Sequence, residues 1–330
     1  MSEFAGVAFQ ADTLLIIPTH NHPETLRVSV ASAQNQSEQK LGIVVIGDGV
    51  TDDTRDAMSP ILKSDERVSF VDRPKTIRHG EEYRDAVIRA STATAIGYLC
   101  DDDLLFPDHI ETLSELLTGV DFVNNLPIFI KPDGSLHHTV CNLANPESVK
   151  WHLDPDVKRN AVSLTGVLHT RSSYLALPHG WRPAPKGRWT DHFMWEQFFS
   201  MPSFTARTST RATTAKFNNI GREEMTGAER ARELSDFAAQ MGSPEFSQAW
   251  DAQVRECERD TLLRLALDNT LLHEHCATAV EQGERLASQL VDARHENEDL
   301  RSTLNSMTAS RSWKVTAPLR NLRAALRRKN

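Results

Sequence analysis

The sequence predicts an α/β fold: a mostly parallel sheet flanked by helices, followed by a C-terminal helical extension. Three observations carry this. Short apolar runs at Leu14–Ile17, Leu41–Ile46, Val68–Val71 and Ile96–Leu99 alternate with helix-periodic segments, the signature of βαβ units. The run LGIVVI is β-branched and apolar on both faces, as a central parallel strand is. From Glu223 onward Gly and Pro nearly vanish and helical sequence dominates.

Composition bounds the rest. The chain has 330 residues and a net charge of −8, enough for one large domain and an appendage at ~150 residues per domain. An acidic balance argues against nucleic acid as a partner. The seven basic residues from Ser310 to Asn330 are Arg311, Lys314, Arg320, Arg323, Arg327, Arg328 and Lys329; removing them from −8 leaves the remainder near −15. Cys100, Cys141, Cys257 and Cys276 show no metal-ligand spacing and read as free thiols of a reducing compartment. MSEFAGVAFQ lacks a basic n-region and a long apolar core, so a signal peptide is not expected. No apolar run approaches the ~20 residues of a membrane span. The expected location is cytoplasmic.

In chain order, Leu14–Ile17 ends at Pro18 and opens into THNHPETL, where Asn21 can cap a helix and Pro23 suits its first turn. Leu26, Val30 and Ala33 fall on one face of that helix. The second strand stops at Gly47-Asp48-Gly49. Asp48 there can accept hydrogen bonds from a base or ribose, or is a turn residue between glycines. After the third strand comes DRPKTIRHGEEYRDA, with a helix from about Glu82 to Ser91. Arg84, near its start, can pair with phosphate or lie on a solvated face. The fourth strand runs into Asp101, Asp102 and Asp103. Three adjacent acids at a strand's carboxyl end suit a hard cation such as Mg²⁺ or Mn²⁺ beside a diphosphate, or a solvated turn before the next helix.

A helix is expected from about Asp108 to Leu117, and strands at Asp121–Val123, Ile128–Ile130 and Val162–His169. Pro132-Asp133-Gly134 reads as a hairpin turn, and Phe204 to Phe217 as an edge strand pair. Between them GWRPAPKGRWTDHFMWEQFF gives a mobile aromatic loop with Asp191 at a helix N-terminus, where it or Thr190 can be the N-cap. Leu272, Cys276, Ala279, Gly283, Leu286, Leu290, Ala293, Asn297, Leu300, Leu304 and Met307 recur at alternating spacings of four and three. This heptad pattern predicts a coiled coil with self-association, or one amphipathic helix packed back on the body. The last stretch sets Val315, Leu319, Leu322 and Leu326 beside the basic cluster; such a helix can lie on an anionic membrane surface at its inner face, or form a solubilising tail. The expected division is 1–220 as catalytic body, 221–270 as helical extension, 271–307 as coiled coil and 308–330 as basic tail.

Five stretches together, IIPTHNHPETL, VVIGDGVTDDT, YRDAVIRA, YLCDDDLLFPDH and WTDHFMWEQF, resemble the GT-A fold glycosyltransferases of the inverting family 2, over residues from about 12 to 215. The resemblance implies transfer of a sugar from a nucleotide-diphosphate sugar to a saccharide or glycolipid acceptor, as in cell-surface polysaccharide synthesis. It implies that Pro18, Thr19 and His20 line the nucleotide pocket, that Asp48 binds the base and that Arg84 and Asp101 lie by the nucleotide sugar. It assigns Mg²⁺ or Mn²⁺ to the triplet, either with Asp102 as principal ligand or with Asp101 and Asp103 as the pair. Asp191 takes the role of general base. The sequence departs from the family pattern at Cys100, where an Asp often stands, at His20, where Tyr is frequent, and at Thr190, where Glu is frequent. A nucleotidyltransferase is disfavoured because no Gly-rich phosphate loop follows the first strand; a non-catalytic scaffold on a degenerate core is the other alternative.

Overall fold

A computed structural model describes residues 11–155, 160–217 and 219–320. The elements are β1 (Thr13–Thr19), α1 (Pro23–Gln34), β2 (Leu41–Asp48), α2 (Asp52–Ser64), β3 (Val68–Arg73), α3 (Glu81–Ala90), β4 (Ala95–Tyr98), β5 (Asp103–Leu105), α4 (His109–Leu117), β6 (Phe122–Asn124), β7 (Ile128–Ile130), β8 (Leu136–His138), α5 (Pro146–Leu153), β9 (Val167–Thr170), α6 (Arg171–Leu175), α7 (Thr190–Phe199), β10 (Ala206–Thr208), β11 (Thr214–Lys216), α8 (Gly227–Met241), α9 (Pro244–Ala309) and α10 (Arg311–Val315).

Seven strands form one sheet in the order β10-β6-β9-β4-β1-β2-β3. The first four strands in sequence are parallel, with Thr13 beside both Leu41 and Ala95 and Thr19 beside Gly47. Their carboxyl ends therefore open on one edge. Alternating residues separate into two cores: Leu14, Ile16, Val44 and Ile46 face one side, and Leu15, Ile17, Ile43 and Val45 the other. Burial on both faces is why these strands read as continuous apolar runs. β9 enters antiparallel between β4 and β6, so the loop before it returns to the same edge. The fold is α/β, with a mostly parallel sheet flanked by helices and a long C-terminal helix.

Several local expectations need correction. Asn21 does not cap α1; it sits at φ 56, and its side chain accepts a bond from the Thr51 amide at 2.8 Å, tying the β1–α1 turn to the end of β2. The strand expected over Val162–His169 is only Val167–Thr170, because Gly166 turns the chain at φ 93 with no room for a Cβ beside Asn125. Residues 204–217 do form two strands, but not a pair: β10 joins β6 at the edge of the main sheet while β11 pairs with β5. Weak alternation reports strand propensity and says nothing of the partner. The hairpin about Pro132-Asp133-Gly134 is present as β7 and β8.

α8 begins with a capping box between Thr226 and Glu229 and buries Leu234 and Met241 beside Phe106 and Phe217. The first turns of α9 join the same cluster through Trp250 and Val254, with Trp250 Nε1 donating to the Ala212 carbonyl at 2.8 Å. The chain divides into two compact units, 1–261 and 262–330. Among the described residues no helix is long and apolar enough to cross a membrane. Leu322, Leu326, Arg323, Arg327, Arg328 and Lys329 of the expected basic helix lie outside the described residues, as does the stretch MSEFAGVAFQ.

Two core histidines make stability depend on pH. His109 and His169 are fully buried, and burial pushes each imidazole down to about 4. Each is neutral in the folded protein, so it costs nothing above the unfolded value of ~6.5. Between about 6.5 and 4 the unfolded chain binds the extra proton, and stability falls as pH falls, by up to about 1.4 kcal/mol per pH unit for each histidine. Denaturant midpoints measured across this window are expected to drop steadily, and a His109→Gln variant is expected to show a shallower slope. A slope unchanged by that substitution excludes His109 from the effect.

Candidate active site

The parallel register brings three strand ends together, and a cavity of about 480 Å³ lies over them. Its wall includes Pro18, Thr19 and His20 from the end of β1, Asp48 from β2, Arg84 from α3, Asp101 and Asp102 after β4, and Asp191 from α7. Every residue the sequence nominated is on that wall except Asp103. The volume lies within the ~300–1,000 Å³ usual for small-molecule sites.

At one end Asp48 is held by its neighbours. Its carboxylate accepts from Lys75 Nζ at 2.5 Å, the Thr76 amide at 2.6 Å and Thr76 Oγ1 at 3.1 Å. Burial opposes the charge, yet the Lys75 ammonium and the Thr76 amide hold the carboxyl below its ordinary value. Gly49 makes this possible: at φ 70 it lets the Lys75 backbone approach to within 3 Å of where a Cβ would stand. His20 Nδ1 meets the Asp48 carbonyl at 2.8 Å.

Arg84 forms the floor. Its side chain is fully buried and stacks over Trp181 with 4.3 Å from guanidinium carbon to ring centroid. Nε and Nη2 have no hydrogen-bond partner among the described residues, and burial pushes its pKa down. Trp181 is itself fixed: its Nε1 donates to Tyr98 Oη at 2.9 Å and its amide to Tyr174 Oη at 2.8 Å. The aromatic loop expected to be mobile is thus anchored at Trp181, and Arg78 donates to the Ala184 carbonyl at 3.0 Å further along. Sequence reasoning missed this tryptophan; a Trp beside Gly180 in a loop otherwise rich in Pro and charge was its only signal.

The acidic triplet divides by direction. Asp101 faces the cavity, accepting from Thr19 Oγ1 at 2.7 Å and bonding His22 Nδ1 at 3.1 Å; that bond raises the His22 pKa. Asp102 also lines the cavity and accepts from Arg230 Nη2 of α8 at 2.9 Å. Burial, then the charges of Asp103 and Asp101, push the Asp102 carboxyl up to about 7. Asp103 turns inward as the first residue of β5, opposite Lys216 of β11. It accepts from Thr165 Oγ1 at 2.5 Å and the Phe217 amide at 3.0 Å, with Lys216 Nζ at 3.4 Å.

Cys100, Asp102 and Asp103 have ligand atoms within 4.8 Å of one another. Burial pushes the Cys100 thiol up, so it stays protonated, and a neutral soft sulfur is a poor donor to a hard cation. Asp103 is already saturated. The carboxylates of the triplet that line the cavity are Asp101 and Asp102, and carboxylate oxygens are the donor type that a hard cation such as Mg²⁺ or Mn²⁺ takes.

Asp191 lies in the first turn of α7, whose N-cap is Trp189, so neither Asp191 nor Thr190 is the cap. Its Oδ1 accepts from Asn160 Nδ2 at 3.1 Å and the His192 amide at 2.8 Å. Oδ2 has no protein hydrogen bond among the described residues. A carboxylate oriented through one oxygen leaves the other available for a proton.

Residues 14–173 match the family model described as glycosyl transferase family 2. A segment of 101 residues is 26% identical to the GalNAc(5)-diNAcBac-PP-undecaprenol beta-1,3-glucosyltransferase of Campylobacter jejuni, covering 31% of this chain and 33% of that protein. The chain thus spans about a third of that curated relative's length. Among solved structures, S. aureus TarS 1–349 gives a TM-score of 0.49 at 13% identity, over 69% of this chain and 70% of that one. The same TarS fragment in complex with UDP-GlcNAc gives 0.49 at 11% identity, over 63% and 58%.

The division of the triplet is testable by stability. Asp103→Asn strands the buried Lys216 ammonium, and breaking one partner of a buried pair costs ~3–5 kcal/mol. Asp102→Asn removes a carboxylate from the cavity wall and is expected to cost much less. Denaturant midpoints that fall equally in both variants contradict the division.

Proposed function

We propose, from the match of residues 14–173 to the glycosyl transferase family 2 model, that this chain is a family 2 glycosyltransferase that moves a sugar from a nucleoside-diphosphate sugar to an acceptor hydroxyl with inversion, using Asp191 as general base and a divalent cation at Asp102 and Asp101. The observation that carries this reading is one cavity wall that combines a buried guanidinium, two of its nitrogens unbonded, with the carboxylates of Asp101, Asp102 and Asp191. A buried cation with unmade hydrogen bonds favours an anion, and a diphosphate is dianionic or more. Pro18, Thr19 and His20 flank the nucleotide, and Asp48, oriented by Lys75 and Thr76, lies at the base or ribose end.

Asp191 Oδ2 takes the proton of the acceptor hydroxyl, and the freed oxygen attacks the anomeric carbon. The bond from that carbon to the phosphate oxygen breaks, and its electron pair leaves with the nucleoside diphosphate. Arg84 stabilises the charge that develops on the leaving group, in a site shielded by Trp181. When bound, Mg²⁺ or Mn²⁺ supplies Lewis-acid neutralisation of the diphosphate. Asn160 fixes the Asp191 carboxylate so that the base needs little reorientation. The acceptor is a saccharide or glycolipid; the Campylobacter relative, named for an undecaprenol-linked acceptor, supports that class.

General-base removal typically costs roughly 10²–10⁴-fold. Asp191→Asn is therefore expected to lower transfer kcat by that factor while leaving the Kd for donor nucleotide, measured by calorimetry, within about threefold. Turnover is also expected to vanish in excess chelator and to return with Mn²⁺ in the wild type but not in Asp102→Asn. Full activity of either variant removes the residue from its role.

A further inference from the structure

From Leu272 to Met307 the long helix carries an apolar seam that is open to solvent. Leu272, Leu286, Leu290, Leu300, Leu304 and Met307 are 54–64% exposed. Assigning Leu272 to position d of a heptad places Cys276, Gly283, Leu290, Asn297 and Leu304 at a, and Leu272, Ala279, Leu286, Ala293, Leu300 and Met307 at d. The remaining positions are mostly polar, with Val280 and Val291 the larger exceptions. A stripe this narrow is the a/d-only seam of a coiled coil and not the wider face of a helix on a globular core.

We propose that this seam is the interface with a second copy of the chain, wound as a parallel, in-register, two-stranded coiled coil. Three features choose that partner and orientation. Asn297 sits at an a position, where a polar residue is tolerated when it meets its own counterpart, and a single such Asn fixes register and oligomer state at some cost in stability. In parallel register Glu296 at g faces Arg301 at e of the second copy, an opposite-charge pair made twice by symmetry. Gln289 faces Arg294 in the same way. In an antiparallel pair Asn297 meets a d residue instead, and e positions face e positions, so Glu296 no longer meets Arg301. Three leucines earlier on the helix, Leu263, Leu267 and Leu271, lie off this seam and are not part of the interface.

Cys276 reports on the arrangement. It is exposed in the single chain and lies at an a position. In a parallel in-register pair the two Cys276 sulfurs face each other, within the ~4.4–6.8 Å Cα separation a disulfide accepts. The full chain, treated with diamide and run without reductant, is expected to give a species of twice 37.0 kDa. The band is expected to disappear in Cys276→Ser, to persist in Cys257→Ser, and to form at a rate independent of protein concentration. By sedimentation the reduced chain is expected to be a dimer at micromolar concentration, and Leu290→Glu/Leu300→Glu a monomer that still binds nucleotide. A monomeric wild type overturns the proposal. A dimer in which Cys276 does not cross-link overturns the parallel register. Dimerisation unaffected by the double Glu substitution overturns the seam.

Discussion

The site is built around a cation kept out of water. Arg84 is fully buried, its guanidinium lies on the Trp181 ring, and two of its nitrogens have no acceptor among the described residues. Glu81, one turn before it on α3, accepts the His79 amide instead. An arrangement like this costs stability, and only packing that over-determines the side chain maintains it. Trp181, hydrogen-bonded to both Tyr98 and Tyr174, supplies that packing. Tyr98 closes β4, so the aromatic clamp and the acidic triplet are nearly consecutive in the chain and adjacent in space.

The carboxylates are then sorted by which way the backbone turns. Parallel register places Thr19, Asp48 and the residues after Tyr98 at one sheet edge. Asp101 and Asp102 fall in the turn and face the cavity. Asp103 begins β5, and pairing with β11 sets it against Lys216 under the turn. A fixed buried pair thus lies next in the chain to two cavity-facing acids. Arg230 reaches Asp102 from α8, so the helix after the sheet also contributes to the site.

Much of this is readable from residue order. The strand ends, the helix carrying Arg84 and the cavity-facing acids follow from apolar period and from where it stops. What is not readable depends on contacts between distant segments. The split between Asp102 and Asp103 needs the β5–β11 pairing, which brings Lys216 opposite Asp103 from more than a hundred residues away. Trp181 is one of six tryptophans, and no periodicity marks it as the stacking partner of Arg84. Asn21 reads as a cap because cap and left-handed turn residues share a composition; its bond to Thr51 requires β1 and β2 to be neighbours. Arg230 lies beyond the matched segment, on a helix whose sequence shows only an amphipathic face.

Under the proposed function the Arg84 guanidinium receives the diphosphate. Calorimetric titration of nucleoside diphosphates with Mn²⁺ into the wild type and Arg84→Met tests it most directly. Hydrogen bonds to a charged group contribute about 1.5–3 kcal/mol each, so affinity is expected to fall roughly 10- to 100-fold. Glu81 is buried on the same helix and loses a favourable neighbouring charge in this variant, so the melting temperature is recorded on the same samples and binding is compared in folded protein. Unchanged affinity in a well-folded Arg84→Met protein contradicts the claim.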